Sequence, residues 1–476
     1  MIIPEDAEPS PPKGQVPLPA ASPAPPPAYN EHQPLNPAAS MSTYNPTATI
    51  PIYVPASVLM PVRPAPPAGR RFLKAFAVAL LVWALLGMVT KSIIEVARAN
   101  WRHRTDGPEA HDAWPIKSDG RIIKCTKSPA DWTHERDRAL VSFDLPLSAD
   151  VLYAFSRGVQ SAGNIVITQD ERTHDIDKVH VDVAAVHSTP HFLSSVSVCA
   201  LERREGEFGI GVFTPSQYPR DGSRLPTLDF ELTVRLPKYP NGSMLEVKSL
   251  ETNLPQFAHH IGDLSGHVYF HDLNLRSSNA HITSHSVNAT RLSVQTENSM
   301  IKGSYEASRS LELKTTNGEL KAQVTVHNED GTARSEVLLR NSNSPLTAYI
   351  ELKSSAADKT GGAFHVVGKS SNGRLNLTCT EAPVDSKLEL SAYTSNSAAY
   401  VTLHPTFEGK FQVSTKNANL NAVIDKHVKD PSGRDTTRQV EIWTFPTYSR
   451  GNIRWSGKHM GEVDVRTQNG PATLRG

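Results

Sequence analysis

The sequence has few cysteines and almost no net charge. Three Cys among 476 residues are too few for a disulfide-stapled fold, and Cys125, Cys199 and Cys379 match no zinc-type pair spacing. Which of them pair stays open. Lys and Arg total 49 against 48 Asp and Glu, so the net charge is +1 and no overall field attracts nucleic acid. Backbone pairing and apolar burial must therefore hold the framework together.

Long apolar runs are also scarce, because a single segment is long enough to cross a membrane. Residues 72–90 read FLKAFAVALLVWALLGMVT, with Lys74 as the only charge. At about 1.5 Å per residue, a helix of this length matches a hydrocarbon core. We predict one transmembrane helix over residues 71–94, which contacts membrane lipid through residues 72–90. No small-residue cleavage site follows it, so we expect an uncleaved signal anchor.

The flanks of this segment indicate its orientation. Basic residues are equally numerous on both sides within about 20 residues, but Arg70, Arg71 and Lys74 crowd the N-terminal side. The three Cys lie on the C-terminal side. Three N-glycosylation sequons lie there too, at Asn241, Asn288 and Asn376. We therefore expect a cytosolic N-terminus and a lumenal or extracellular body.

The first 70 residues differ in composition from the rest. They hold more than half of the 36 Pro of the chain. Such a segment cannot bury a core, so we predict a disordered tail with stretches of polyproline II. Within it, Pro26, Pro27 and Tyr29 fit the PPxY motif of WW-domain ligands, in which the prolines occupy an aromatic groove and the Tyr a second pocket. A simple spacer is the alternative.

The body alternates apolar and polar residues, which predicts an all-β fold. It also contains an internal repeat, Φ-x-Φ-x-[S/T]-x-N-x-x-Φ, in which Φ is apolar. Six close copies begin at Leu273, Leu292, Leu311, Leu390, Phe411 and Val463. Four looser copies begin at Leu245, Val337, Val366 and Val440.

A period of about 20 to 30 residues made of short strands and Asn turns is typical of stacked parallel coils. We predict a connector over residues 95–131, a β subdomain over 132–240 and a parallel β-helix, or β-solenoid, over 241–476. The Asn should adopt the left-handed conformation or stack as a hydrogen-bonded ladder. An ordinary β-sandwich is the alternative. One inward position of the repeat holds Leu275, Val294, Leu313, Val413 and Val465.

Several short motifs carry a resemblance to known families. The run FDLPLSADVL from Phe143, followed by Ser156-Arg-Gly and Gly163-Asn-Ile-Val-Ile, resembles an uncharacterised fungal family of single-pass membrane proteins with an adhesin-like domain. The repeats Thr316-Asn-Gly and Ser371-Asn-Gly are similar to adhesin-like repeats of bacterial surface proteins. The resemblance covers residues 135–475. It implies a surface role, without an assigned ligand or catalytic residue.

Residues suited to catalysis or metal binding are grouped at one place. His259, His260, Asp263, His267 and His271 are close in sequence. Successive strand residues point to opposite faces, so His259 and His260 cannot share a site. We expect these histidines to face solvent or to stack between coils, and we predict no metal site, no cofactor and no catalytic residue. No nucleophile elbow, phosphate loop or paired-Cys motif appears in the sequence.

These features favour a single-pass, adhesin-like surface protein that binds a cell-wall, glycan or protein ligand and is not an enzyme. Two alternatives stay open. The chain is a membrane adaptor whose PPxY tail recruits a WW-domain ubiquitin ligase, or it is a β-helix enzyme that acts on carbohydrates.

Overall fold

The computed structural model of the chain is all-β in the part that it describes. The described residues are 113–126, 128–135, 138–159, 161–170, 175–187, 190–216, 228–328, 333–455 and 461–476. The predicted tail, its PPxY motif and the predicted transmembrane segment lie outside them. Among the described residues, no helix combines the length and apolar character needed to cross a membrane.

The described secondary structure consists of strands and three short 3₁₀ helices. The helices are Lys117–Asp119, Pro129–Asp131 and Pro190–Ser195. The strands are β1 (Arg121–Cys125), β2 (Thr133–Glu135), β3 (Arg138–Pro146), β4 (Val151–Arg157), β5 (Ala162–Asp170), β6 (Lys178–His187), β7 (Ser197–Arg204), β8 (Glu207–Phe213), β9 (Leu228–Pro237), β10 (Leu245–Asn253), β11 (Gln256–Asp263), β12 (Val268–Arg276), β13 (Ile282–Gln295), β14 (Ile301–Lys314), β15 (Leu320–Asn328), β16 (Ser335–Arg340), β17 (Leu346–Ser354), β18 (Ala363–Lys369), β19 (Leu375–Glu381), β20 (Lys387–Thr394), β21 (Ala399–Thr402), β22 (Gly409–Ser414), β23 (Leu420–Val423), β24 (Gln439–Thr444), β25 (Tyr448–Arg454), β26 (Gly461–Thr467) and β27 (Ala472–Arg475).

Most strands stack in two files in which each strand pairs in parallel with a strand of the neighbouring coil. The first file runs β8, β4, β10, β12, the C-terminal halves of β13 and β14, then β16, β18, β20, β26 and β22. The second runs β9, β5, β11, the N-terminal halves of β13 and β14, then β15, β17, β19, β21, β27 and β23. The predicted parallel pairing is confirmed for the strands of these files that follow residue 241, whereas β4, β5, β8 and β9 lie in the range that we predicted as a separate β subdomain.

The apolar positions of the repeat point into the core. The inward side chains of both files belong to one large apolar cluster. The five residues predicted to share an inward position, Leu275, Val294, Leu313, Val413 and Val465, are all 0% exposed. Leu275, Val294 and Leu313 are register partners on successive strands, and Val465 pairs with Val413. The alternation in sequence therefore predicts the buried face correctly.

A five-residue corner, which begins at the Ser or Thr of the repeat, links the first file to the second. Its first side chain is buried and hydrogen-bonds to the backbone. Thr315 Oγ1, for example, donates to Ser299 O of the neighbouring coil at 3.0 Å and accepts the Gly318 N–H at 3.2 Å. Asn341 takes this position in one corner, where its Nδ2 donates to Gly318 O at 2.9 Å. The eight corners are 277–281, 296–300, 315–319, 341–345, 370–374, 394–398, 415–419 and 467–471.

The third corner residue is Asn, and these side chains form a ladder. Each Nδ2 except that of Asn279, which begins the ladder, donates to the Oδ1 of the preceding Asn at 2.6–2.8 Å. Each Asn backbone N–H also donates to a carbonyl of the neighbouring coil, at 2.7–2.9 Å. No Asn has a positive φ in the described part of the chain, so the ladder replaces the left-handed alternative. In stacking order the ladder is Asn279, Asn298, Asn317, Asn343, Asn372, Asn396, Asn469 and Asn417.

The last coils do not stack in the order of the sequence. The coil of β26 and β27 inserts between the β20–β21 coil and the β22–β23 coil. Strands β24 and β25 lie between β23 and β26 in sequence. Strand β25 pairs antiparallel with β22, and β24 pairs antiparallel with β25. The looser repeat at Val440 is therefore wrong, because Val440 lies in β24. The copy at Leu245 is also out of register, because Leu250 and not Leu245 pairs with Leu273.

The N-terminal strands first extend the two files by parallel pairing and then end them by antiparallel pairing. Strands β4 and β5 pair in parallel with β10 and β11, so parallel stacking begins before residue 241. Beyond them, the β1–β7–β8 and β2–β3–β6–β9 pairings are antiparallel. Strand β1 lies in the range that we expected to be a connector, and its Cys125 forms a disulfide with Cys199 of β7. This bond joins two neighbouring strands, while Cys379 is a free, buried thiol.

The Asn ladder generates the first prediction, on Asn317→Ala. This change removes the bond that Asn317 donates to Asn298 and the bond that it accepts from Asn343. We expect the free energy of unfolding to fall by about 1–2 kcal/mol, as measured in urea. Thr316→Ala, at the adjacent corner position, is the matched control and should change it much less. Equal losses for the two variants would show that the ladder does not stabilise the fold.

Candidate functional site

The residue just before each corner points outward and forms a row beside the Asn ladder. Its direction follows from strand alternation, because the residue before it faces the core. We call this row the corner file. In stacking order it consists of Arg276, Gln295, Lys314, Arg340, Lys369, Tyr393, Arg466 and Ser414.

Four cations of the corner file are exposed and lack an acidic partner. Among the described residues, no carboxylate lies within 4 Å of Arg276, Lys314, Arg340 or Lys369. Arg466 differs, because its guanidinium lies 2.6 Å from the Asp464 carboxylate. The corner file therefore carries uncompensated positive charge over the strands β12 to β18.

An aromatic ring continues the corner file after these cations. The Tyr393 ring lies between Lys369 and Arg466, with each cation 5.9 Å from the ring centroid. The hydroxyl of Tyr393 donates to Asp464 at 3.2 Å. Farther along, Phe445 stacks on Tyr448 at 4.5 Å between centroids, and Phe445 is 39% exposed. Exposed rings thus stand near one end of the corner file.

Two clefts lie along the corner file. The first has a volume of about 540 Å³, and its lining includes Arg276, Ser278, Lys314 and Thr316. The second has a volume of about 700 Å³, and its lining includes Tyr393, Ser395, Lys416, Tyr448 and Arg466. We call them the first and second corner clefts. Arg340 lies on the file between them. Hydroxyl, amide and cationic groups make up most of both linings, and Glu297 adds one carboxylate to the first.

A further cleft on the outer face of the first file is less suited to a charged ligand. It has a volume of about 780 Å³, and its cations already have acidic partners. Lys248 lies 2.7 Å from the Asp150 carboxylate, and Arg291 binds Asp272 through both oxygens. A ligand would have to break these pairs, whereas the cations of the corner file are available.

The histidine group does not form a site. His259 is fully buried, and its neighbour His260 points outward, where its ring meets His281 edge to face. The expectation that these histidines face solvent or stack between coils is wrong for His259. Its Nδ1 lies 3.0 Å from Phe257 O and its Nε2 lies 2.8 Å from Thr252 Oγ1. Among the described residues, no group of three or more His, Cys, Asp and Glu is arranged to hold a metal ion.

The burial of His259 favours its neutral form. With Nδ1–H donating to Phe257 O, Nε2 accepts from the Thr252 hydroxyl, which in turn accepts the Arg276 N–H at 3.2 Å. Burial lowers the pKa of His259 to about 4. This histidine therefore belongs to the packing of an early coil, and both of its ring nitrogens already have hydrogen-bond partners.

The other sequence-predicted residues lie apart from the corner clefts. Asn241 is exposed between β9 and β10, and its Oδ1 accepts a hydrogen bond from Ser243. Asn288 and Asn376 lie half-buried within β13 and β19. Pro26, Pro27 and Tyr29 lie outside the described residues. Neither the glycosylation sites nor the WW-domain site is thus tested, and both stay predictions.

Sequence reasoning missed the corner file, although its signal is present. A cation directly precedes the corner in the copies that begin at Leu273, Leu311 and Val463, and in the looser copies at Val337 and Val366. The repeat leaves this position variable, because neither packing nor hydrogen bonding requires a particular residue there. Only the register of the strands shows that these cations stand side by side.

His259 generates the second prediction. Its pKa is lower in the folded chain than in the unfolded chain, so the unfolded chain binds more protons between about pH 6.5 and pH 4. This contribution to stability is complete above pH 6.5 and is lost as the pH falls, by about 3 kcal/mol in total. We expect His259→Gln to lose less stability than the wild type from pH 7 to pH 4 in chemical denaturation. His285→Gln, at an exposed histidine, should follow the wild type. Parallel curves for His259→Gln and the wild type would contradict the prediction.

Comparisons with known proteins find only distant similarity. The family model for a domain of unknown function, DUF7330, matches residues 290–475. A candidate cell adhesion protein from Clostridium sporogenes is 8% identical, covers 71% of this chain and 99% of its own, and has a TM-score of 0.15. A candidate adhesin from Parabacteroides merdae is 13% identical, covers 53% of this chain and 95% of its own, and has a TM-score of 0.20. No curated protein matches the chain. The chain is similar to these bacterial proteins at a level that carries no argument about its ligand.

Proposed function

We propose that the β body is an adhesin-like binding module that holds an extended polymer along the corner clefts. The observation that carries this proposal is the regularity of the lining. Neighbouring coils, about 4.8 Å apart, each present one side chain of the corner file and one Asn amide. A polymer of regular units can repeat one contact at successive coils, as ligands do on other repeat proteins.

The finer architecture that we propose for this module is a β-solenoid. Parallel pairing between coils, corners of constant length and one shared core all support it. The connections that return to the first file vary, from none within β13 and β14 to residues 355–362 between β17 and β18. Insertions therefore accumulate away from the corner clefts, whose spacing stays regular.

We further propose that a helix over residues 71–94 anchors the body outside the cytosol. The Cys125–Cys199 disulfide supports this location, because disulfides persist in oxidising compartments and are rare in the cytosol. The sequons at Asn241, Asn288 and Asn376 and the basic cluster before residue 72 support the same orientation. The Pro-rich tail would then be cytosolic, where a WW-domain protein could reach Tyr29.

Binding without catalysis is the activity that we propose. The corner clefts are lined mainly by Ser, Thr, Asn, Gln and basic residues, and Glu297 is the one carboxylate among the described lining residues. Glycoside hydrolases instead act through a pair of carboxyl groups that flank the scissile bond. Asp464, which lies beside the second corner cleft, is engaged by Arg466 and by the Tyr393 hydroxyl.

The disulfide provides a test of the location. Cells that express the full-length chain are lysed in denaturant, and free thiols are labelled with a maleimide that adds mass. We expect one label per chain without reductant, on Cys379, and three after reduction. Cys125→Ser should give two labels under both conditions. Three labels without reductant in the wild type would place the body in a reducing compartment and contradict the proposal.

Bulky substitutions provide a test of the binding site. Thr316 lines the first corner cleft, and Thr316→Trp should block it and weaken retention of the full-length chain on immobilised linear polysaccharides about tenfold or more. Thr347→Trp introduces the same ring beyond the Asn ladder, in β17, and should leave retention unchanged. Equal retention of both variants would exclude the corner clefts as the binding site.

A further inference from the structure

We propose that the polymer bound by the corner clefts is an acidic polysaccharide, whose carboxylates or sulfates pair with Arg276, Lys314, Arg340 and Lys369. This inference rests on the proposed function, because it identifies the ligand class of the same site. It is carried by the placement of these four cations and by the groups that surround them.

The cations lie close together, and their mutual repulsion destabilises the fold. Lys314, Arg340 and Lys369 are register partners on three successive strands, about 4.8 Å apart. Like charges at directly paired positions destabilise a sheet. Lys302 and Lys321 are also register partners of like charge, but they form only one such pair, whereas the corner file aligns three cations in succession. Some neighbouring charges elsewhere on the outer surface are compensated, as in the pairs Arg334–Glu389 and Lys353–Glu351. An external anion would compensate the cations of the corner file in the same way.

The spacing of the cations indicates an extended ligand. From Arg276 to Lys369 the file crosses five strands, with Gln295 at the second position, so the cations span about 19 Å. A compact anion would reach two of them at most. A linear chain with one anionic group per unit reaches all four, and Gln295 supplies a neutral donor between them.

The remaining groups along the corner file favour a sugar chain. Hydroxyls of Ser278, Thr316 and Ser395 line the two clefts, and they match the hydroxyl groups of a glycan as donors and acceptors. The Tyr393 ring lines the second corner cleft, where its carbon atoms can contact the apolar face of a sugar ring. The linings thus supply cations, hydroxyls and an aromatic ring, and Glu297 is the one carboxylate among the described lining residues.

An acidic polypeptide fits this site less well. Extended peptides commonly gain affinity by pairing their backbone with an unpaired strand edge. At the corners, however, the backbone N–H groups are already used between coils, as in Asn317 N to Glu297 O at 2.8 Å and Asn343 N to Thr316 O at 2.9 Å. Side-chain contacts alone would have to hold a peptide, whereas a polysaccharide needs no backbone partner.

Binding of polygalacturonate and of its methyl ester to the full-length chain tests the inference. The two polymers share one backbone and differ in charge. We expect polygalacturonate to bind at least about tenfold more tightly than the ester, with an affinity that falls as salt is added. The combined change Lys314→Gln, Arg340→Gln and Lys369→Gln should remove this preference. The matched control, with the same loss of charge at exposed residues off the corner clefts, is Lys302→Gln, Arg309→Gln and Lys321→Gln, and it should retain the preference.

The outcomes separate this inference from the proposed function. If the ester binds as tightly as polygalacturonate and Thr316→Trp weakens both, the clefts bind polymers but the acidic ligand class is wrong. If Thr316→Trp weakens neither, the proposed function fails as well. Polyglutamate binding more tightly than polygalacturonate would assign the site to acidic polypeptides and overturn the inference. An equal loss of preference in the two triple variants would show that net charge, and not the corner file, attracts the polymer.

Discussion

Hydrogen bonding between neighbouring coils at the corner is the constraint on which the rest of the structure depends. A five-residue corner has no strand ladder of its own, yet its polar groups lie beside the core and need partners. The Asn supplies two hydrogen bonds to the neighbouring coil, one from its side chain and one from its backbone N–H. The buried Ser or Thr adds a third bond, as Thr315 does. A corner of any other length would shift these groups out of register.

This constraint also explains the antiparallel strands near both ends of the stack. Each coil pairs the backbone N–H and C=O groups of its neighbours. The outermost coils would therefore leave unpaired strand edges, at which other chains can associate. At the N-terminal end, β7 and β6 pair antiparallel with β8 and β9 of the outer coil, and β1 and β3 pair antiparallel with β7 and β6 in turn. At the other end, β25 covers β22. The insertion of the β26–β27 coil between earlier coils places the C-terminal strands within the stack, where both neighbours bond to them.

For the fold, the sequence predicted the elements that recur in every coil and did not predict those that occur once. The inward position of Leu313 follows from periodicity, because the inward position of each coil must be apolar. The recurrence of Asn317 predicted either a left-handed corner or a ladder, and only the structure distinguishes the two. The insertion of β26 and the antiparallel pairing of Val440 could not be predicted, since they depend on which edges remain open late in the stack. The pairing of Cys125 with Cys199 depends on a single register between β1 and β7, which no pattern encodes. The buried His259 was missed because its partner Thr252 lies on another strand.

Different positions of the repeat serve the fold and the proposed function. Positions that face the core or the corner are fixed by packing and hydrogen bonding, so they hold apolar residues, Ser, Thr and Asn in coil after coil. The position of the corner file faces solvent and has no such duty, yet four of the five residues from Arg276 to Lys369 are cations without an acidic partner among the described residues. Packing does not require this choice, and cross-strand repulsion opposes it. A ligand that carries regularly spaced anions supplies the missing compensation, and the regular coil spacing sets the interval at which those anions must be spaced.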